Sequence, residues 1–234
     1  MSPTPAALHI DIVSDVVCPW CFIGKRHLDA ALAQVRAREP DLDVRVRWQP
    51  FELNPDLPAD GIDRGEYLAR KFGDRNAAAT RYDRVRVAGE RAGIAFAFER
   101  IERQPNTHDA HRLIAFAHSQ HDDASPLVER LFEAYFCEGR SLVGAEALAD
   151  LAAASGLGLT RDAVLAHLAS GGSSQEVQEA ERRAHAIGVS GVPFFIFERR
   201  LAVSGAQPAD VLVQAIDEAR SVAAAEPARA SSAS

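Results

Sequence analysis

Cysteine is scarce in this chain, with three in 234 residues. A small disulfide-stapled scaffold needs a dense, even-numbered set, so that class is excluded. Long apolar runs are missing too. No stretch approaches the roughly 18 residues that a membrane-spanning helix requires. There is no basic stripe: 26 Lys and Arg stand against 33 Asp and Glu, a formal charge of −7. Neither nucleic acid nor an anionic membrane is therefore expected as a partner. The start, Met-Ser-Pro-Thr-Pro-Ala-Ala-Leu-His-Ile-Asp, lacks the positive segment of a secretory signal. The expected location is cytoplasmic. No repeat of fixed period is visible. What is present is ordinary for a globular protein, 47% apolar and 25% charged. The length suits one large domain, or one domain carrying an insertion.

Two of the three cysteines lie together in Cys18-Pro19-Trp20-Cys21. Before them Leu8, Ile10 and Ile12 alternate with polar residues, which is strand spacing. After them Cys21, Leu28, Leu32 and Val35 share one helical face, to about Arg38. Val44, Val46 and Trp48 then alternate as a second strand. Strand, helix and strand imply a right-handed parallel crossover. Pro50, Pro55 and Pro58 break the pattern, and residues 1–60 form the first unit.

Residues 61–188 read as an all-helical domain. Asn106 and Thr107 are good caps for a helix carrying Ala110, Leu113, Ile114 and Ala117. Ser125-Pro126 opens another helix. Thr160 caps a third, and Ser173 with Glu176 has the capping-box pattern. A brief alternation over 93–98 is too short to assign. His108, His111, His118 and His121 read as a solvated face. Residues 189–222 return to strand texture. Val192 to Phe197 is dense in apolar residues, as in a central strand buried on both faces. A short strand at Leu201-Ala202-Val203 and a helix from Pro208 follow. Residues 223–234 are expected to be a disordered tail. The fold class is thus α/β: βαβ, then ββα, forming a mixed four-stranded sheet, with a helical domain inserted between.

A Cys-x-x-Cys in a reducing compartment is redox-active or metal-binding. A zinc site wants a second ligand pair at short spacing. Cys137 is distant and reads as a buried apolar residue, so no metal is expected. Placed at a helix start, Cys18 has Pro19 at the first helical position, where a missing N–H costs nothing. The Trp20 and Cys21 N–H groups and the positive helix end favour thiolate at Cys18. Cys18 is then the attacking sulfur, and Cys21, one turn on, resolves the mixed disulfide. Pro19 stiffens the turn, and Trp20 supplies no cation. Pro193, by itself, reads as a trans proline entering a strand.

Taken together, Ser14-Asp15-Val16-Val17-Cys18-Pro19-Trp20-Cys21, Phe22-Ile23-Gly24, Pro105-Asn106-Thr107-His108-Asp109-Ala110-His111-Arg112-Leu113, Leu131-Phe132-Glu133-Ala134-Tyr135-Phe136, Gly188-Val189-Ser190-Gly191-Val192-Pro193 and Val203-Ser204-Gly205-Ala206-Gln207 resemble the DsbA branch of the thioredoxin-fold superfamily, and within it the FrnE-type subgroup. The resemblance implies a cis Val192-Pro193 bond packed against Cys18, with the Val192 backbone open to an extended substrate. It implies that Asn106 lies near the cleft between domains. Trp20 departs from the histidine of the periplasmic oxidant.

The function expected is thiol–disulfide exchange, as oxidoreductase or isomerase, on a disulfide- or thiol-bearing protein or small molecule. No cofactor is expected, with glutathione the one co-substrate left open. Two alternatives stand beside it. One is a glutathione-dependent small-molecule isomerase or transferase of the kappa-class or hydroxychromene-carboxylate isomerase type, whose members carry serine at the first motif position. The other is a non-catalytic client-binding module. Pairing into a homodimer is left open.

Overall fold

Alternating apolar residues shape the first strand, β1 (Leu8–Ser14), whose Leu8, Ile10 and Ile12 are all buried. The structure, a computed structural model, describes residues 7–73 and 75–230. Helix α1 (Pro19–Arg38) leads to β2 (Val44–Pro50), which runs parallel to β1 with Ile10 opposite Val46 and Ile12 opposite Trp48. The middle follows as β3 (Ile62–Asp63), α2 (Arg64–Phe72), α3 (Arg75–Arg91), a 3-10 turn at Phe98–Arg100, and β4 (Arg103–Gln104). Then come α4 (His108–Gln120), α5 (Ser125–Phe136), α6 (Ala145–Ala153), α7 (Arg161–Ala169) and α8 (Ser174–Ala186). The chain closes with β5 (Phe194–Phe197), β6 (Leu201–Ser204) and α9 (Ala209–Ala230).

The main sheet has the order β2-β1-β5-β6, with β5 antiparallel to β1 and β6 antiparallel to β5. This is the mixed four-stranded sheet expected. Helices α1 and α9 pack together over one face. There Ile10, Ile12, Phe195 and Phe197 meet Phe22, Leu28, Val35, Leu212 and Ile216 in the main core. Each such side chain contributes about 1.5–3 kcal/mol by leaving water. The opposite face is smaller: Val13, Phe51, Ala184 and Val189, with Phe194 and Ile196 at its margin. Strand β5 is therefore sealed on one face and half-covered on the other, rather than buried on both as its apolar run suggests.

The middle is helical apart from the β3–β4 ribbon. A Cβ at Gly61, whose φ is +65°, would collide with the Gln104 carbonyl oxygen, so glycine permits the close approach beside that ribbon. Helices α4 and α8 pack on β2, and α5 packs on α1. Phe22 of α1 stacks on Phe132 of α5 at 5.0 Å between ring centroids. Beside it the buried Lys25 ammonium pairs with Glu129 at 2.7 Å.

Three local readings are corrected. Thr107 makes no side-chain cap, and the Asn106 carboxamide oxygen accepts the His108 N–H at 2.9 Å instead. Ser173 stands in the left-handed region, φ 60°, with no cap bond from its hydroxyl. Helix α9 continues to Ala230, beyond the boundary at 222, where a run of alanines favours helix. Residues 231–234 of the expected disordered tail lie outside the described residues. No helix among the described residues is long and apolar enough to cross a membrane.

Candidate active site

At the end of β1 the chain turns through Asp15, Val16 and Val17 into α1. The Asp15 carboxylate is fully buried. It accepts the Leu53 N–H at 2.8 Å and the Val17 N–H at 3.4 Å, and stands 3.5 Å from His111 Nε2. A carboxylate removed from water needs such partners, and these tie the motif to the loop after β2 and to α4.

Cys18 is the N-cap residue of α1, with Pro19 starting the helix. The Cys21 and Phe22 N–H groups donate to the Cys18 carbonyl at 3.0 and 3.3 Å. Among the described residues no N–H caps the sulfur. That corrects the expectation that the Trp20 and Cys21 N–H groups hold it. The sulfur turns the other way, to 3.6 Å from the Val192 carbonyl oxygen, 174 residues along the chain. The Val192-Pro193 bond is cis, as the resemblance implies and contrary to the reading of Pro193 alone. A Cβ at Gly24 would sit 2.9 Å from Pro193 Cγ and 3.1 Å from Phe195 Cζ, so the absent side chain lets α1 seat the proline.

Cys21 lies behind Cys18, 1% exposed, and both are free thiols. Burial pushes the Cys21 thiol well above its ordinary pKa. Neighbouring Cys18 adds to this, while the Ser14 side chain and the Asp15 backbone partly offset it. The Ser14 hydroxyl, against Cys21, is buried, and so is His111 Nε2, which has no hydrogen-bond partner among the described residues. Both line a cavity of ≈ 110 Å³ that extends to Arg47 and Arg183.

In front, Cys18, Pro19 and Trp20 open onto a second space of ≈ 380 Å³, walled by Tyr67, Phe72 and Tyr82. Trp20 is 41% exposed there. Arg64, Lys71, Arg81 and Arg84 also line it, with the apolar Val17, Leu53 and Val85.

The structure thus brings Cys18, Cys21, Val192 and Pro193 together. Asn106 lies away from the thiols, but at a junction of residues 1–60 with residues 61–188, near the cleft that the resemblance implies. Its amide donates to Leu57 O at 2.9 Å and Pro55 O at 3.3 Å, and it lines a separate cavity of ≈ 510 Å³ with Glu52 and His108. Cys137 is half-buried at the end of α5 and packs against the main core. Burial, then the Glu133 carboxylate, raises its thiol pKa.

His108, His111 and His118 are not a solvated face, because α4 is packed between the sheet and α7–α8, while His121 follows the end of that helix and is partly exposed. His111 is buried. His108 contacts Glu52 at 2.8 Å and Ser174 at 2.9 Å, and the Glu52 hydrogen bond raises its pKa. His118 accepts the Trp48 N–H at 3.0 Å, and burial, reinforced by Arg47, lowers its pKa to about 4. Asp15 and His111 both fall within the motif strings, but polar residues carry no periodic signal of burial.

The YwbO protein of Bacillus subtilis is 28% identical over 217 residues, covering 90% of this chain and 96% of that protein. The structure of a probable DsbA oxidoreductase from Streptomyces coelicolor is 33% identical with a TM-score of 0.79, covering 91% of this chain and 89% of that one. The cytosolic disulfide reductase DsbM from Pseudomonas aeruginosa, solved with GSH, shares the fold at 18% identity and a TM-score of 0.57, over 93% of this chain and 98% of that one. The model of the DSBA-like thioredoxin domain matches residues 9–217. With the cis-proline loop set against a Cys-Pro-Trp-Cys helix start, that match makes this chain a member of the DSBA-like thioredoxin domain family.

Proposed function

We propose that this protein catalyses thiol–disulfide exchange through Cys18 and Cys21, and that it belongs to the FrnE-type branch of its family. The observation that carries the reading is the Cys18 sulfur, which faces both the open groove and the Val192 carbonyl while Cys21 waits behind it. The Cys18 thiolate attacks one sulfur of a substrate disulfide. A Cys18–substrate disulfide forms and the second substrate sulfur leaves as thiolate. Cys21 then gives up its proton and attacks the Cys18 sulfur. The Cys18–Cys21 disulfide forms and the first substrate sulfur leaves. The substrate is reduced by two electrons and the dithiol oxidised; two molecules of a thiol such as glutathione return it to the reduced state and leave joined as their disulfide. In a reducing cytosol this direction, or isomerisation, is favoured over net oxidation. Val192, before the cis proline, offers its backbone to an extended substrate.

The test equilibrates the protein in glutathione redox buffers and follows both cysteines by mass. A reversible two-electron transition is expected. Cys18→Ser abolishes exchange, and Cys21→Ser stalls at the mixed disulfide. Full exchange in Cys18→Ser overturns the assignment.

A further inference from the structure

Arg64 opens α2 and lines the groove in front of Cys18. It is 8% exposed, yet no carboxylate pairs with it among the described residues. Its guanidinium donates to neutral oxygens only: the Tyr82 hydroxyl at 2.6 Å, the Tyr135 hydroxyl at 3.5 Å, and the Gln104 carboxamide. Asp63, its chain neighbour, accepts the Glu66 N–H instead. A buried cation without a counter-charge is costly, and buried charges are normally paired.

The other cations of the groove are also unpaired among the described residues. Lys71 donates to the Tyr67 hydroxyl at 2.7 Å and lies 5.2 Å from the centre of that ring. Arg81 lies 5.3 Å from the centre of the Phe72 ring. Arg84 completes the set, and among the described residues no carboxylate lines the groove. Elsewhere arginines find acids: Arg38 with Asp217, Arg86 with Glu99, Arg130 with Glu138, and Arg220 with Glu39. In a chain of net charge −7, this groove concentrates positive charge against the trend.

We propose that the groove receives an acidic peptide segment of a disulfide-bearing protein, with one carboxylate on Arg64 and others on Lys71, Arg81 and Arg84, while the segment's disulfide meets Cys18. The inference rests on the exchange reading above and names its substrate class. A peptide fits better than a small anion because the positive charge is spread out. Arg64 and Lys71 lie seven residues apart on α2, about 10 Å of helix rise, and Arg81 and Arg84 are on α3. On the far side of Cys18, the Val192 N–H makes no hydrogen bond among the described residues, leaving backbone for an extended chain. Ring faces under Lys71 and Arg81 hold those cations in place before binding.

Three peptides test this, each carrying one cysteine in a mixed disulfide with a chromophoric thiol and flanked by glutamates, lysines or serines. Glutathione disulfide and uncharged hydroxyethyl disulfide run alongside. The reduced protein should consume the glutamate peptide roughly tenfold faster than the lysine peptide at low salt, and the gap should close as salt rises. The double variant Arg81→Glu/Arg84→Glu should abolish the preference, whereas Arg161→Glu, remote on α7, should leave it in place. Equal rates for the peptides, or a gap indifferent to both salt and charge reversal, overturn the proposal. So does a charge reversal that slows glutathione disulfide and leaves the glutamate peptide untouched. Should hydroxyethyl disulfide itself fail to oxidise Cys18 and Cys21, the exchange reading falls; exchange without charge preference removes only the substrate class.

Discussion

His118 illustrates how one side chain ties a sheet edge to a helix. Its Nε2 accepts the Trp48 N–H, which only the neutral ring can do. Its pKa of about 4 lies below the ordinary 6.5, so the folded state disfavours the proton that the unfolded chain takes up. The stabilisation is complete above about pH 6.5 and is lost as pH falls towards 4, on the order of 2–3 kcal/mol. Urea midpoints at pH 7.5 and 4.5 should therefore fall further apart in the wild type than in His118→Gln, whose amide oxygen can accept the same N–H without titrating. Identical pH dependence would falsify this. Residues of this kind were the least legible in the sequence. Cys18 and Cys21 announce themselves by spacing and by the proline between them. A histidine on a helix looks the same whether it faces water or a buried backbone amide, and so do Asp15 and His111.

Among the elements, the contact of α1 with β5 determines where the proline loop sits. Gly24 is a point of close approach. Within a helix, alanine is favoured over glycine by about 1 kcal/mol. Here the new methyl would meet a proline ring and a phenylalanine edge, and overpacking costs typically about 1–3 kcal/mol. Gly24→Ala should therefore lose stability on balance, by up to about 2 kcal/mol in urea unfolding. It should also slow exchange, because Pro193 is displaced from Cys18. Unchanged exchange kinetics in a destabilised variant would show that the loop does not depend on this seat. The helices were readable because their apolar spacing repeats over several turns, as at Leu127, Leu131 and Tyr135. The β3–β4 ribbon has two residues a side and no periodicity to read. The half-covered face of β5 depends on what packs opposite, which a run of phenylalanines does not encode.

At the scale of the molecule, one hydrophobic cluster runs from Ile10 and Phe195 of the sheet, through Phe22, to Phe132, Leu148 and Val164 of the helical segment. The boundaries read at 60 and 188 mark a change of texture in the sequence, but the core crosses them. Continuous burial couples the two regions energetically, so they should unfold together. Far-ultraviolet circular dichroism and Trp48 fluorescence in a Trp20→Phe background should give coincident urea transitions. Phe22→Ala, at the join, should lower both midpoints equally, at a cost of about 3–5 kcal/mol. Two separated transitions would show independent domains.

Cys18 and Val192 are 174 residues apart in the chain. On a ribosome adding about 5–20 residues per second, the dithiol emerges roughly 10–35 s before the loop that will cover it. During that interval β1 can pair only with β2, and the edge that β5 later fills stays open. Newly made protein thus passes through a stage in which Cys18 and Cys21 are chemically present without Val192 and Pro193, so the cis-proline loop is added last, when translation reaches β5 and β6.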